Sequence, residues 1–167
     1  MQAPQTSGDC DTFANKVRIE STTGQQIQVF EVEVYPHLSW DNVAQGKSAS
    51  QSSTLKNRNK FAASRAVDGN FNTFSHTSDQ SAWWQVDLED TYDVDLVWIT
   101  NRYCGGWNDP KGCLCKLSYA TVSLLDASGS VVSSQSLGDT CDEHDVFIEF
   151  GCNSTSYMPT YMPTSMF

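Results

Sequence analysis

The sequence predicts an all-β sandwich held together by disulfide bonds, and three observations support this fold class. Short runs of alternating apolar and polar residues recur along the chain, and most are bounded by Gly, Asp or Asn. Long segments with helical periodicity are missing from the sequence. The 167 residues include six cysteines, an even number that is typical of a disulfide framework formed in an oxidising compartment.

The first two predicted strands are KVRIES and QIQVFEVEVY, which a turn at residues 22–24 connects. In the second run, strict alternation places Ile27, Val29, Glu31 and Glu33 on one side of the strand. Residues 42–59 are rich in Ser, Asn and Lys and predict a loop with short extended pieces.

The rest of the chain adds a helical turn and five more predicted strands. FAASRAV predicts one short helical turn, and the strands are WWQVDL, VDLVWIT, ATVSLLD, VVSSQSL and DVFIEF. Strands this short, without long helices between them, favour a sandwich or a barrel.

Composition divides the chain into three parts. Residues 1–9 predict a linker, residues 10–152 a single domain, and residues 153–167 an extended spacer that repeats a Tyr-Met-Pro-Thr unit. Such a spacer suggests a module from a longer protein, present as tandem repeats or as a homo-oligomer. The N-terminal residues lack the basic and apolar regions of a signal peptide.

Charge and hydropathy limit the partners. A net charge of -10 argues against nucleic acid, whose phosphates would be repelled. No apolar run approaches the roughly 18 residues needed for a membrane span. The cysteines and the glycosylation sequon at residues 153–155 indicate a secreted or extracellular protein.

The cysteine positions leave the pairing open, because six cysteines allow about 15 connectivities. A zinc site built from Cys104, Cys113 and Cys115 is the competing interpretation, although the spacing lacks a second pair of ligands. A nucleophilic cysteine is disfavoured because no histidine lies close in the sequence.

Five sequence blocks occur in a fixed order between Asn42 and Arg102: NVAQGKSASQSS, AVDGN, SHT, WWQVDL and ITNR. In this order they resemble the F-type (fucose-binding) lectins, a branch of the discoidin-like jelly-roll β-sandwiches, and the match extends to Asp126. The resemblance implies a carbohydrate-binding module without enzymatic activity, with fucose-containing glycans as the leading ligands.

The resemblance also implies a basic sugar pocket. His76 in SHT matches the family's histidine and Arg102 in TNR its first arginine, while Lys116 is the candidate for its second basic residue. Together these side chains offer donors and an acceptor for ring and hydroxyl oxygens. The family's Arg-X-Asp pattern is broken, because Arg102 is followed by Tyr103 and Cys104.

An inserted loop, Tyr103–Cys115, separates the two basic positions. Trp107 in this loop is a candidate for stacking its ring on the C–H surface of a sugar. The vicinal cysteine pair of the family is missing. These departures affect the assignment of fucose more than the assignment of sugar binding.

The turn SRAVDGNFNTFS resembles the family's calcium loop. That match implies carbonyl ligands from Arg65 and Thr73 and further oxygens from Asp68 and Asn70, which suit the oxygen preference of Ca2+. An Asp-Gly turn that binds no metal is the alternative.

The segment QVFEVEVY resembles a strand that closes the domain in other family members, yet here it lies near the N-terminus. This implies a circularly permuted module in which Phe30 and Glu31 complete the calcium site. It also brings Cys10 and Cys152 near one another for pairing, with Cys141–Cys152 as the rival.

Two other functions compete with the lectin. A discoidin-like adhesion module would bind protein or lipid and carry a degenerate sugar site. A glycosidase would need two carboxylates, and no spacing selects a pair among Asp87, Glu89 and Asp90. The expected activity is therefore non-enzymatic binding.

Overall fold

The computed structural model describes residues 12–104 and 112–151, and it confirms an all-β sandwich. The described part contains eight strands: β1 Phe13–Glu20, β2 Gln28–Pro36, β3 Ser48–Gln51, β4 Ser75–His76, β5 Trp83–Asn101, β6 Thr121–Leu125, β7 Val131–Ser136 and β8 Asp145–Glu149. Short 3₁₀ turns occur at Leu55–Asn57, Asn59–Phe61, Ala63–Ala66 and Leu114–Leu117. Within these ranges, no helix is long and apolar enough to cross a membrane.

The strands form two antiparallel sheets that share β5. The first sheet has the order β3-β5-β1-β6-β7. The second sheet has the order β4-β2-β5-β8. Because β5 belongs to both sheets, it connects the two layers of the sandwich.

Strand β5 corrects one prediction. WWQVDL and VDLVWIT were expected to be two strands, but they lie in one 19-residue element. Its first part pairs with β1 as far as Asp93, and its second part pairs with β2 and β8 from Val94 onward. Within the first part, Glu89 has a φ of 67° and its amide donates to the Asp87 carboxylate at 2.8 Å, opposite the register shift between Ala14 and Lys16. This irregularity is a bulge in the first sheet. The strand passes to the second sheet after it, between Asp93 and Val94.

The core lies between the inner faces of the two sheets. Trp84 is fully buried there, and its indole Nε1–H donates to the Ala63 carbonyl at 3.0 Å. Its neighbour Trp83 lies on the outer side, where the Arg18 guanidinium stacks 4.4 Å from the ring centre. The two adjacent tryptophans therefore face opposite sides of the first sheet.

Strand β2 departs from strict alternation. Its register on β5 shifts between Val29 and Glu31, so Glu31 and Val32 are both buried although they are consecutive. Val29 pairs with Asn101 and Glu31 with Thr100, which are consecutive on β5, so the expectation that Val29 and Glu31 share one face is wrong. Glu31 and Glu33 pair with Thr100 and Trp98 and do share a face, as expected. A bulge of this kind turns a side chain in a new direction, and here it places Glu31 on the face opposite to Val29.

Two disulfides are described. Cys104 pairs with Cys113, and Cys115 pairs with Cys141. Both the zinc interpretation and the Cys141–Cys152 pairing are wrong, because these thiols are joined to other partners. Cys10, Cys152, the linker at 1–9 and the tail at 153–167 lie outside the described residues.

The two ends of the described chain meet on β5. The Thr12 carbonyl accepts a hydrogen bond from the Val94 amide at 3.0 Å, and the Phe150 amide donates to the Asp95 carbonyl at 2.8 Å. Val94 and Asp95 are consecutive, so the two ends of the described chain lie close together.

The buried indole of Trp84 supports a test of the core. Trp84→Phe removes the donor to the Ala63 carbonyl and leaves a small cavity, so we expect a loss of about 2–3 kcal/mol in the free energy of unfolding. Trp83→Phe, on the outer face, is the matched control and should cost less than about 1 kcal/mol. Urea denaturation measures both, and equal losses would contradict this packing.

Candidate functional site

The predicted calcium loop is a tight turn centred on Gly69. Gly69 has a φ of 71°, a left-handed conformation that favours glycine, and a Cβ atom there would lie 2.6 Å from the Gln45 side chain, which would have to move. The Asp68 carboxylate accepts from the Asn70 amide at 3.0 Å, which fixes the turn.

Oxygen atoms converge on the hydroxyl of Thr73. Thr73 Oγ1 lies 2.9 and 3.0 Å from the two carboxylate oxygens of Asp68, 2.9 Å from the Asn70 carbonyl and 3.5 Å from the Arg65 carbonyl. One hydroxyl has a single proton to donate, so most of these acceptors keep lone pairs that the hydroxyl does not satisfy. Such a concentration of oxygens is the environment that a hard cation prefers.

Glu31 extends this cluster from β2. One carboxylate oxygen accepts from the Gly69 amide at 3.0 Å, while Oε2 is buried without a hydrogen-bond partner. Burial raises the pKa of Glu31 to about 7, and the nearby Asp68 carboxylate contributes to this rise. An orphaned, buried carboxylate oxygen beside a second carboxylate fits a bound cation.

The structure brings five of the six predicted calcium-site residues together: Glu31, Arg65, Asp68, Asn70 and Thr73. Two details differ from a simple side-chain set. The Asn70 side chain accepts from the Asn72 amide at 3.0 Å, so Asn70 faces Thr73 through its carbonyl. The Arg65 guanidinium pairs with Asp68 at 3.4 Å. Phe30, the sixth residue, packs its ring on Phe74 with centroids 5.9 Å apart.

The residues predicted for the basic pocket lie close together where β2, β4 and β5 meet. His76 in β4 pairs with Gln28 of β2, and the Gln28 amide oxygen accepts a hydrogen bond from Arg102. The Arg102 guanidinium also lies 3.9 Å above the Phe74 ring centre. Gln28 and Phe74 thus hold Arg102 beside His76.

Lys116 reaches the same region from the 3₁₀ turn Leu114–Leu117. Its ammonium donates to the Gln25 amide oxygen at 2.9 Å. Asn101 anchors this turn, because its buried amide donates to the Leu114 carbonyl at 2.9 Å and to the Glu143 carbonyl at 3.1 Å. The Cys115–Cys141 disulfide provides a second, covalent anchor.

His76 is neutral in this environment. Burial lowers its pKa, and the positive charges of Arg102 and Lys116 lower it further. Its Nδ1 contacts the Thr77 carbonyl at 2.5 Å, so Nδ1 carries the proton and Nε2 is the acceptor. We call His76, Arg102 and Lys116 the basic cluster. It therefore combines one neutral ring with two cations.

An aromatic wall backs the basic cluster. Phe61 packs against Phe74 at 5.3 Å and against His76 at 5.7 Å between ring centroids. Trp107, the aromatic residue predicted for this role, lies outside the described residues. Phe74 directly precedes Ser75 and His76 in the sequence, and that adjacency is the signal that could have identified it.

The sequence is similar to known proteins over most of its length. A family model described as a NedA-like, galactose-binding domain matches residues 65–121. Fucolectin-3 of Anguilla japonica is 42% identical over 131 residues, covering 71% of this chain and 72% of that relative. Fucolectin of Anguilla anguilla is 32% identical over 136 residues, covering 75% and 84%. No solved structure matches the chain.

The chain belongs to the F-type lectin family. As an F-type lectin it is a carbohydrate-binding module and not an enzyme. The discoidin-like fold class predicted from the ordered blocks is confirmed by the family match and by the sandwich. The circular permutation and the roles of individual residues remain predictions.

The raised pKa of Glu31 predicts a pH dependence of the free energy of unfolding in metal-free buffer. Its value of about 7 in the folded state exceeds the ordinary 4.5, so folding favours the protonated form. This contribution to stability is fully present below about pH 4.5 and is lost as the pH rises through about 7, a change of about 3 kcal/mol. Urea denaturation with a chelator present, from about pH 4.5 to 8, measures it.

Glu31→Gln is the reference variant, because it keeps the shape and cannot ionise. We expect the wild-type protein to lose stability relative to this variant as the pH rises. Parallel stability curves for the two proteins would contradict the buried position of the carboxylate.

Proposed function

We propose that this F-type lectin is an extracellular, calcium-stabilised module whose basic cluster binds fucose-containing glycans. The observation that supports the proposal most is the convergence of His76, Arg102 and Lys116 from three separate segments onto the end of β2. The relatives compared above are fucolectins, and this supports fucose as the sugar.

The three side chains have complementary roles toward a sugar. Arg102 presents a rigid, planar set of donors, and Lys116 presents a mobile one. Neutral His76 supplies an acceptor at Nε2, so hydroxyl groups can donate to it as well as accept from its neighbours. This combination suits adjacent hydroxyl and ring oxygens on one face of a hexose.

The aromatic wall suits a deoxy sugar. Fucose carries a methyl group where other hexoses carry a hydroxymethyl group, and apolar C–H surfaces pack favourably on aromatic rings. Phe61 and Phe74 lie directly beside His76 and Arg102. They provide this apolar contact within the described residues.

Gln28 compensates for the missing Asp of the family's Arg-X-Asp pattern. Its neutral amide oxygen accepts from Arg102 and orients the guanidinium without neutralising it. Burial lowers the pKa of Arg102, but an arginine stays protonated under all ordinary conditions. A fully charged guanidinium is therefore retained for the ligand.

Calcium fits the oxygen cluster formed by Glu31, Arg65, Asp68, Asn70 and Thr73. When bound, Ca2+ would supply a positive charge beside both Glu31 and Asp68 and draw their oxygens together. Thr73 lies three residues before His76, with Phe74 between them. Fixing Thr73 therefore positions the wall and the histidine of the basic cluster.

Extracellular location and multivalency complete the proposal. Two described disulfides suit an oxidising compartment. A single shallow sugar site gives binding of about millimolar to micromolar strength. Several copies, as tandem repeats or a homo-oligomer, would raise the avidity by orders of magnitude.

Replacing Arg102 tests the sugar site. Arg102→Ala removes charge-assisted hydrogen bonds, so affinity for fucosylated glycans should fall at least about tenfold. Arg18→Ala is the matched control, because Arg18 also stacks on an aromatic ring but lies on the first sheet. A glycan array with matched non-fucosylated structures, followed by calorimetry, provides the measurement.

If Arg102→Ala binds fucosylated glycans as tightly as the wild-type protein, the basic cluster is not the sugar site. Binding to no glycan in the presence of calcium, together with binding to lipid vesicles or a protein partner, would favour the adhesion module instead.

Metal removal tests the oxygen cluster. We expect calcium to raise the melting temperature of the wild-type protein and a chelator to reverse this, because a cation that binds only the folded state stabilises it. Asp68→Asn and Glu31→Gln should each lose most of the calcium-induced shift. Asp126→Asn, which alters another turn carboxylate, should keep it. An equal shift in all variants would contradict the site.

A further inference from the structure

The outer face of the second sheet carries aromatic and acidic side chains together. Glu33 of β2, Trp98 of β5 and Phe147 of β8 are register neighbours across the three strands. Their sequence neighbours Val32, Val34, Val97, Ile99, Val146 and Ile148 are buried in the core, so the three side chains point outward. We call these residues, with Tyr35, Trp40 and Asp145, the aromatic–acidic face.

Two of the four aromatic rings on this face are largely exposed, and the other two are partly exposed. Phe147 is 51% exposed and Trp40 is 70% exposed. The rings of Trp98 and Phe147 lie 4.9 Å apart, and those of Tyr35 and Trp40 lie 6.0 Å apart. Contiguous exposed aromatic surface on a rigid sheet is typical of an interaction site.

The carboxylates are held in place by the same rings. Asp145 accepts from Trp98 Nε1 at 2.9 Å and from Thr100 Oγ1 at 3.3 Å. Glu33 forms a hydrogen bond with Tyr35, and Asp145 lies close enough to repel its charge. The two carboxylates are therefore oriented by neutral donors from the same face.

No described Lys or Arg side chain balances this charge. Within residues 12–104 and 112–151, the basic side chains belong to the first sheet, to the loop between β3 and β4, to the Glu89 pair, or to the two sites described above: Lys16, Arg18, Lys47, Lys56, Arg58, Lys60, Arg65, Arg102 and Lys116. The nearest histidines contact other groups, since His37 pairs with Asp95 and His144 stacks on Tyr103.

We propose that the aromatic–acidic face binds a lysine or arginine side chain of a partner polypeptide. Charge complementarity selects this partner, because an incoming cation would pair with both Glu33 and Asp145. The exposed rings add cation–π attraction and cover the stem of the side chain.

A neutral sugar is a poorer occupant of this face. The rings of Trp98 and Phe147 are tilted by 42° and do not form one flat platform for a pyranose. A neutral ligand would also cover two mutually repelling carboxylates without neutralising them. The face lies on the side of the sandwich and the basic cluster at a strand end, so both are open to ligands at the same time.

A nuclear magnetic resonance titration of the intact chain tests this proposal. The signal is the Trp98 indole N–H, identified by its loss in Trp98→Phe. The probe is a synthetic Gly-Arg repeat peptide, compared with the same peptide carrying neutral citrulline. We expect a saturable shift with the arginine peptide, weakened by added salt, and none with citrulline.

Charge-removing variants separate this site from others. Glu33→Gln with Asp145→Asn preserves shape and hydrogen-bond acceptors and should weaken peptide binding at least tenfold, while glycan binding is unchanged. Glu20→Gln with Asp87→Asn, on the first sheet, is the matched control. Phe147→Ala removes an exposed ring and should weaken binding several-fold without unfolding the domain.

Three results would overturn the proposal. Equal affinity for the arginine peptide in the charge-removing variant and the wild type would exclude the carboxylates. A shift produced by cellotetraose and not by the peptide would make the face a sugar platform. Sedimentation that shows a dimer lost in Phe147→Ala would make it a contact between two copies of this chain.

Discussion

The whole sandwich depends on β5 crossing from one sheet to the other. This single strand pairs with β1 and β3 in the first sheet and with β2 and β8 in the second. The crossing occurs between Asp93 and Val94, and the length of strand beyond it sets where Asn101 and Arg102 emerge. Asn101 then anchors the turn that carries Lys116, so the basic cluster is positioned by strand geometry rather than by a flexible loop.

Small irregularities place the ligand-binding groups on this scaffold. The bulge in β2 places Glu31 on the face opposite to Val29, where its carboxylate accepts from the amide of Gly69. From that turn the chain passes through Thr73 directly into Phe74 and His76. The oxygen cluster and the aromatic and histidine part of the basic cluster are therefore consecutive parts of one segment, which is why the proposed cation would also order the proposed sugar site.

Local patterns revealed the strands, and ordered motifs revealed His76, Arg102 and the Asp68 turn. They could not reveal the Gln28–Arg102 contact, because it joins residues far apart in sequence through strand register. The β2 bulge was invisible for a related reason: its residues alternate regularly, and only pairing with β5 shows the extra residue. Disulfide partners likewise follow from distances in space, so Cys115–Cys141 was open among the possible pairings.

The position of Thr12 and Phe150 determines how this lectin meets its surroundings. Both bond to β5 at Val94 and Asp95, which lie about 23 Å along the strand from Asn101. Any polypeptide joined to either end therefore attaches at the base of the domain, away from the basic cluster. Copies tethered side by side through these ends would all present their basic clusters in the same direction, away from the tether.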